Sequence, residues 1–162
     1  MNPGTEPSES AMREQAHPPE HLTGLPSWLL SRAAGVGARV VGGALALHGM
    51  RKHHYAVLHA LTESGSVSQA ELGRRLGIDR SDLHGVLGEL EASALVRRTP
   101  DERDRRRNTV TITKAGAAAR AGLDLAVDGA QRTLLARLSA QEQSELVRLL
   151  RLVIASPGDR AE

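Results

Sequence analysis

The chain contains no cysteine and no phenylalanine, and only one tryptophan (Trp28) and one tyrosine (Tyr55) among 162 residues. Without thiols it can form no disulfide, no thiolate-ligated metal site and no thiol-based redox sensor. With aromatics at 1% of the residues and an apolar fraction of 40%, the core of what reads as one domain of ordinary length must be built from Leu, Val, Ile and Ala. A secretory leader is also missing from the pattern. Residues 1–20 are polar and rich in Pro, Glu and Ser, where a leader needs a basic start and an apolar middle, so a cytoplasmic protein is expected. The longest apolar stretch, Leu25 to Leu47, is broken by Arg32, Arg39 and several Gly. That leaves Val40 to Leu47, too short to span a bilayer, and no membrane insertion is expected. The formal charge of +2 is small although the isoelectric point is about 9.6, so attraction to a polyanion has to come from local clusters of Arg.

Several segments carry clear local signals. The composition of the first residues, with Pro3, Pro7, Pro18 and Pro19, cannot offset its ordering entropy and predicts a disordered arm over 1–24. Pro26 suits a helical first turn, and apolar residues at mixed helical spacings continue to His48. Tyr55, Leu58 and Leu61 mark a second helix that stops at Gly65. Ser68-Gln69-Ala70-Glu71 has the form of a reciprocal capping box, opening a short helix that Gly77 ends. Beyond Asp79, the spacing of Leu83, Val86, Leu87 and Leu90 gives one buried helical face. Two short helices joined by a Gly turn make a helix-turn-helix. Residues 95–99 and 109–113 then read as strands, the second alternating cleanly, around the charged segment 100–108. Residues 114–138 form an Ala-rich helix, and a second capping box at Ser139–Glu142 opens the last one. That helix carries apolar residues on more than one face, which a small monomer would leave wet.

Ser68–Leu72, Leu76–Ser81, Leu90-Glu91, Leu95–Arg98, Asp104–Arg106 and Thr113–Gly116 together resemble the MarR family of bacterial regulators across Leu58 to Gly116. The resemblance implies a mainly α fold with a two-stranded β wing, a winged helix-turn-helix flanked by N- and C-terminal dimerisation helices. Residues 25–162 then form one domain, with dimerisation helices over 25–50 and 114–156 and a winged helix-turn-helix lobe over 53–113. The implied function is sequence-specific binding of double-stranded DNA by a homodimer at an imperfect palindrome. A repressor released by a small effector is expected, and no enzyme: no nucleophile, base and carboxylate spacing suggests catalysis.

A recognition helix starting near Asp79 turns Arg80, Ser81, Asp82, His84 and Gly85 away from its apolar face, toward major-groove edges, with Ser68 and Gln69 at the start of the preceding helix. Asp82 and Gly85 depart from the family's usual small hydroxyl and contacting residue. Arg103, Arg105, Arg106 and Arg107 put four guanidinium groups in five positions, suited to phosphates or a minor groove. The family implies that Asp104 orients Arg106. It also implies a crevice for an anionic or phenolic effector, where Trp28, Arg32, Arg51 (or Lys52) and Tyr55 are candidates. His48, His53, His54 and His59 are close in sequence, but His54 and His59 are not one helical turn apart and no Cys or nearby carboxylate completes a ligand set. Hydrogen-bonded histidines and no metal or other cofactor are therefore expected. The rival reading is a winged-helix ligand-binding or protein-interaction module with weak or no specific DNA binding.

Overall fold

The computed structural model describes residues 18–100 and 108–155. The chain divides into two units, Met1–Val36 and Gly37–Glu162, so the division falls inside the first long helix rather than at residue 24. In the first unit α1 (Glu20–Thr23) is a single turn, held by Leu22 N–H donating to the Pro19 carbonyl at 2.9 Å. The expected arm therefore does not reach residue 24, and its first 17 residues lie outside the described ones. The long helix α2 (Pro26–Ala46) runs unbroken past Arg32 and Arg39. At 21 residues, with a mean hydropathy of 1.2 over its most apolar window, it is long and apolar enough to cross a membrane. That corrects the shorter span expected: arginine and glycine interrupt an apolar pattern without breaking the backbone hydrogen-bond ladder.

The second unit continues with α3 (Lys52–Ser64), β1 (Val67–Ser68), α4 (Gln69–Leu76), α5 (Arg80–Ala92), β2 (Val96–Pro100), β3 (Asn108–Ile112), α6 (Lys114–Leu134) and α7 (Ala140–Ile154). Its core gathers Val57, Leu58 and Leu61 of α3 with Leu72 of α4, the expected four of α5, Val96 and Val110 of the sheet, and Leu123 and Val127 of α6. Each such side chain contributes roughly 1.5–3 kcal/mol when fully buried.

Helices α4 and α5 end in the same way. The Ile78 N–H reaches the Gly73 carbonyl at 3.1 Å and Gly77 sits at φ +59°, the expected left-handed stop. At the end of α5 the Leu95 N–H reaches Leu90 O at 2.9 Å and the Ala94 N–H reaches Glu91 O at 2.9 Å, with Ala94 itself at φ +57°. Leu90 and Leu95 are both buried, the apolar contact that accompanies this kind of cap.

The two expected wing strands, β2 and β3, are joined by a third, β1, in the order β1-β3-β2. Val67 and Ser68 pair with Val110 and Thr109, and a two-residue strand is too short to show alternation in sequence. Strands β2 and β3 pair from Val96↔Ile112 to Pro100↔Asn108, each one residue off its expected bounds. The displaced residues have other tasks: Leu95 closes α5, and the Thr113 hydroxyl accepts the Gly116 N–H at 3.0 Å to cap α6.

Ser139 and Glu142 form the reciprocal capping box as expected. Ser68 forms only half of one. Its hydroxyl accepts the Glu71 N–H at 3.2 Å, but the Glu71 carboxylate turns to Arg74 and Arg75. Helix α6 stops at Leu134, four residues early, and α7 buries no residue while Leu152, Val153 and Ile154 stand exposed.

Candidate nucleic-acid interface

The helix-turn-helix places its second helix with a dry face and a wet one. Leu83, Val86, Leu87 and Leu90 are buried, and Arg80, Ser81, Asp82, His84 and Gly85 are exposed. A neighbour makes the tight turn possible: a Cβ on Gly73 would stand 3.2 Å from the Ile78 carbonyl. Asp79 precedes α5 without capping it through its side chain, so the first-turn N–H groups have no side-chain acceptor from that residue. Ser68 and Gln69, at the start of α4, are half-buried, and Ser68 spends its hydroxyl on the cap. Arg103, Asp104, Arg105, Arg106 and Arg107 lie outside the described residues.

Two acidic residues near the end of α5 were not legible as site residues. Glu91 binds Arg98 of β2, its Oε2 accepting from Nε at 2.8 Å and from a terminal nitrogen at 2.5 Å, and its Oε1 from the backbone N–H at 3.1 Å. The guanidinium donors hold the Glu91 carboxyl below the usual range. Glu89 accepts from Arg51 at 2.6 Å and lies 3.1 Å from Nε2 of His54. Leu90-Glu91 stood in the motif, but no spacing rule links residue 91 to residue 98.

The residues expected to line an effector crevice fall in both units. Within the first, the Arg32 guanidinium stacks 5.3 Å above the Trp28 ring. In the second, Arg51 is taken by Glu89, and the Tyr55 hydroxyl donates to Asp124 Oδ1 at 3.0 Å. The same Asp124 meets His59 Nε2 at 2.6 Å and Arg120 at 2.7 Å. Burial raises the Asp124 carboxyl, but the donors from His59, Tyr55 and Arg120 outweigh it and hold it low. Desolvation, with the Asp124 hydrogen bond, pushes the Tyr55 phenol up to about 12.

Two of the expected histidines, His54 and His59, have hydrogen-bonding or ionic partners. His54 is buried, accepts the Arg51 N–H on Nδ1 at 3.2 Å, and is pulled below the ordinary histidine value chiefly by desolvation. Carboxylates do stand beside His54 and His59, contrary to expectation, because Glu89 and Asp124 arrive from helices distant in sequence. No group of three or more potential ligands forms among the described residues.

Comparison with known proteins agrees with this geometry. A family model described as the MarR family matches residues 48–107. The repressor Rv2887 of Mycobacterium tuberculosis is 31% identical over 123 residues, 76% of this chain and 88% of its own. The transcriptional activatory protein BadR of Rhodopseudomonas palustris is 40% identical over 76 residues, 45% of this chain, and the chain spans only 43% of BadR's length. Among solved structures, Bordetella bronchiseptica BpsR, whose DNA binding is regulated by 6-hydroxynicotinic acid, shares 25% identity and a TM-score of 0.75 over 86% of this chain and 100% of its own. A helix-turn-helix packed on α3, a wing of antiparallel strands and this similarity to regulators together place the chain in the MarR family of winged-helix DNA-binding transcription regulators, which are not enzymes.

Proposed function

We propose that the chain is a cytoplasmic homodimer that reads an imperfect palindrome in duplex DNA through Arg80, Ser81 and His84, and that it acts as a repressor released by a small aromatic acid. The observation that carries the reading is the wet face of α5, where Arg80, Ser81, Asp82, His84 and Gly85 stand exposed above a fully dry row. Arg80 supplies the one long donor suited to a guanine edge, and Ser81 and His84 lie one turn apart on the same side. The N–H groups at the start of α5, which the Asp79 side chain does not cap, suit a phosphate. Arg103, Arg105, Arg106 and Arg107 add phosphate or minor-groove contacts, with Asp104 orienting Arg106.

Dimerisation is supported by the exposed apolar residues of α7, which a two-fold partner would cover. The effector reading draws on BpsR and its 6-hydroxynicotinic acid. Trp28 and Arg32 offer an aromatic face and a cation. Arg51 would release Glu89 to meet a carboxylate, and Tyr55 would release Asp124.

Fluorescence anisotropy on duplexes from the DNA upstream of its own gene, against a scrambled duplex and across a salt series, tests this reading. Selective binding with a steep salt slope is expected, and replacing Arg80, Ser81 and His84 together by Ala should abolish the preference. Equal weak binding to both duplexes would overturn the DNA reading.

A further inference from the structure

The second helix of the helix-turn-helix ends against its own electrostatics. Glu89 and Glu91 sit near its C-terminal end, no basic residue offsets them within the last turn, and a helix dipole disfavours negative charge at that pole. Glu91 is compensated from outside the helix. One carboxylate takes three donors of a single residue, Arg98: the backbone N–H, Nε and a terminal nitrogen.

The place of Arg98 gives this contact its meaning. Among the described residues strand β2 is the edge of the sheet and pairs with β3 alone, so its outward N–H groups face no other strand there. Glu91 fills that position at Arg98, midway along β2, and the guanidinium fork fixes direction as well as distance. The cap at Ala94 and the buried Val96 hold the start of the strand, and β1 supports β3 opposite Arg98. Beyond Val96 the Glu91–Arg98 pair adds a charged, directional tie that resists a change in the angle at which β2 leaves α5.

We propose that Glu91 is a positioning residue for DNA binding: through Arg98 it locks the wing strands to the recognition helix, so that both engage the duplex as one rigid element. The proposal rests on the DNA reading above. The substitution Glu91→Ala separates positioning from simple electrostatics, because the two predict opposite signs. Removing a carboxylate makes the surface more positive, which by charge alone tightens DNA binding. Loss of the lock weakens it.

The measurement pairs operator and scrambled-duplex binding with amide hydrogen exchange of Arg98 in the absence of DNA, for the wild-type chain, Glu91→Ala and Glu91→Gln, whose amide oxygen still accepts the Arg98 N–H. The expected result for Glu91→Ala is a chain that still folds by circular dichroism, with about tenfold weaker operator preference and about tenfold faster Arg98 exchange, and Glu91→Gln, equal to it in charge, recovering most of the preference. Operator binding as tight as wild type or tighter, or unchanged Arg98 exchange, overturns the proposal. A wild-type chain that does not prefer its operator overturns the DNA reading instead, and Arg98 exchange still decides whether Glu91 holds β2.

Discussion

Replacing Gly116 by Ala should damage this fold more than the loss of a buried methylene would, although alanine is the better helix former. Gly116 lies in the first turn of α6 and is buried. A Cβ there would stand 2.0 Å from the Leu95 carbonyl oxygen, 2.8 Å from Ile112 Cγ1 and 3.0 Å from the Leu95 carbonyl carbon. Two of the three atoms are backbone, so no rotamer change relieves the contact. Leu95 O cannot retreat freely, because it accepts the Thr113 N–H at 3.0 Å and the Thr113 hydroxyl at 3.1 Å. Relief requires α6 to lift from β2 by more than an ångström, which breaks the Thr113 cap. Overpacking costs about 1–3 kcal/mol, and loss of a cap adds about 1 kcal/mol. Against these the helix-propensity gain from Gly to Ala is about 1 kcal/mol. The net loss of about 1–3 kcal/mol lowers the melting midpoint by roughly 2–12 °C for a chain of this size. Thermal and urea unfolding followed by circular dichroism would measure it, and a midpoint equal to or above that of the wild type would refute the reasoning.

Other positions give independent checks. Gly85→Ala, where an added Cβ meets nothing within 4 Å, should raise stability in urea by roughly 0.5–1 kcal/mol; its methyl projects from the wet face of α5, so operator affinity measured by anisotropy should fall. Ala94→Gly relieves a left-handed alanine at φ +57° and should stabilise by about 0.5–1 kcal/mol in the same assay. Tyr55 is the single tyrosine, so phenolate absorbance reports it alone, with a midpoint near 12 that Asp124→Asn moves back toward 10. Because the folded phenol is raised above its unfolded value, the stability it contributes is complete below pH 10 and disappears as the pH climbs through about 12.

The sequence was most informative where residues within a turn or two of one another explain a local structure. The left-handed stop at Gly77, the buried row Leu83, Val86, Leu87 and Leu90, and the box at Ser139 and Glu142 each follow from short-range chemistry, and each is present. It was least informative where two distant segments compete for one group. Glu71 carries the capping signature, yet Arg74 and Arg75 lie one turn along on the same face and take its carboxylate. Strand β1 exists only because β3 offers it an edge, and the carboxylates beside His54 and His59 come from residues 89 and 124. The exposed row on α5 was readable in full because it is the complement of the apolar row, whereas its supports at Glu89 and Glu91 depend on tertiary partners.

The charge on α5 leads to a division of labour that Asp82 can test. Its four charged residues are Arg80, Asp82, Glu89 and Glu91, and the last two are occupied by Arg51 and Arg98. The face turned outward thus carries one cation and one anion, so the helix itself releases few counterions on binding. Binding strength would come from the Arg residues at 103 and 105–107, and sequence preference from Arg80, Ser81 and His84. Under that division, Asp82→Asn removes a repulsion that operator and scrambled duplexes share. Affinity for both should rise about equally, by several-fold at low salt and less as salt screens the charge, while their ratio stays constant. Parallel anisotropy titrations would show it. Were the variant to lose affinity for the operator alone, Asp82 would be a base-reading residue accepting from a cytosine amino group, and preference would be located on the acidic side of the helix instead.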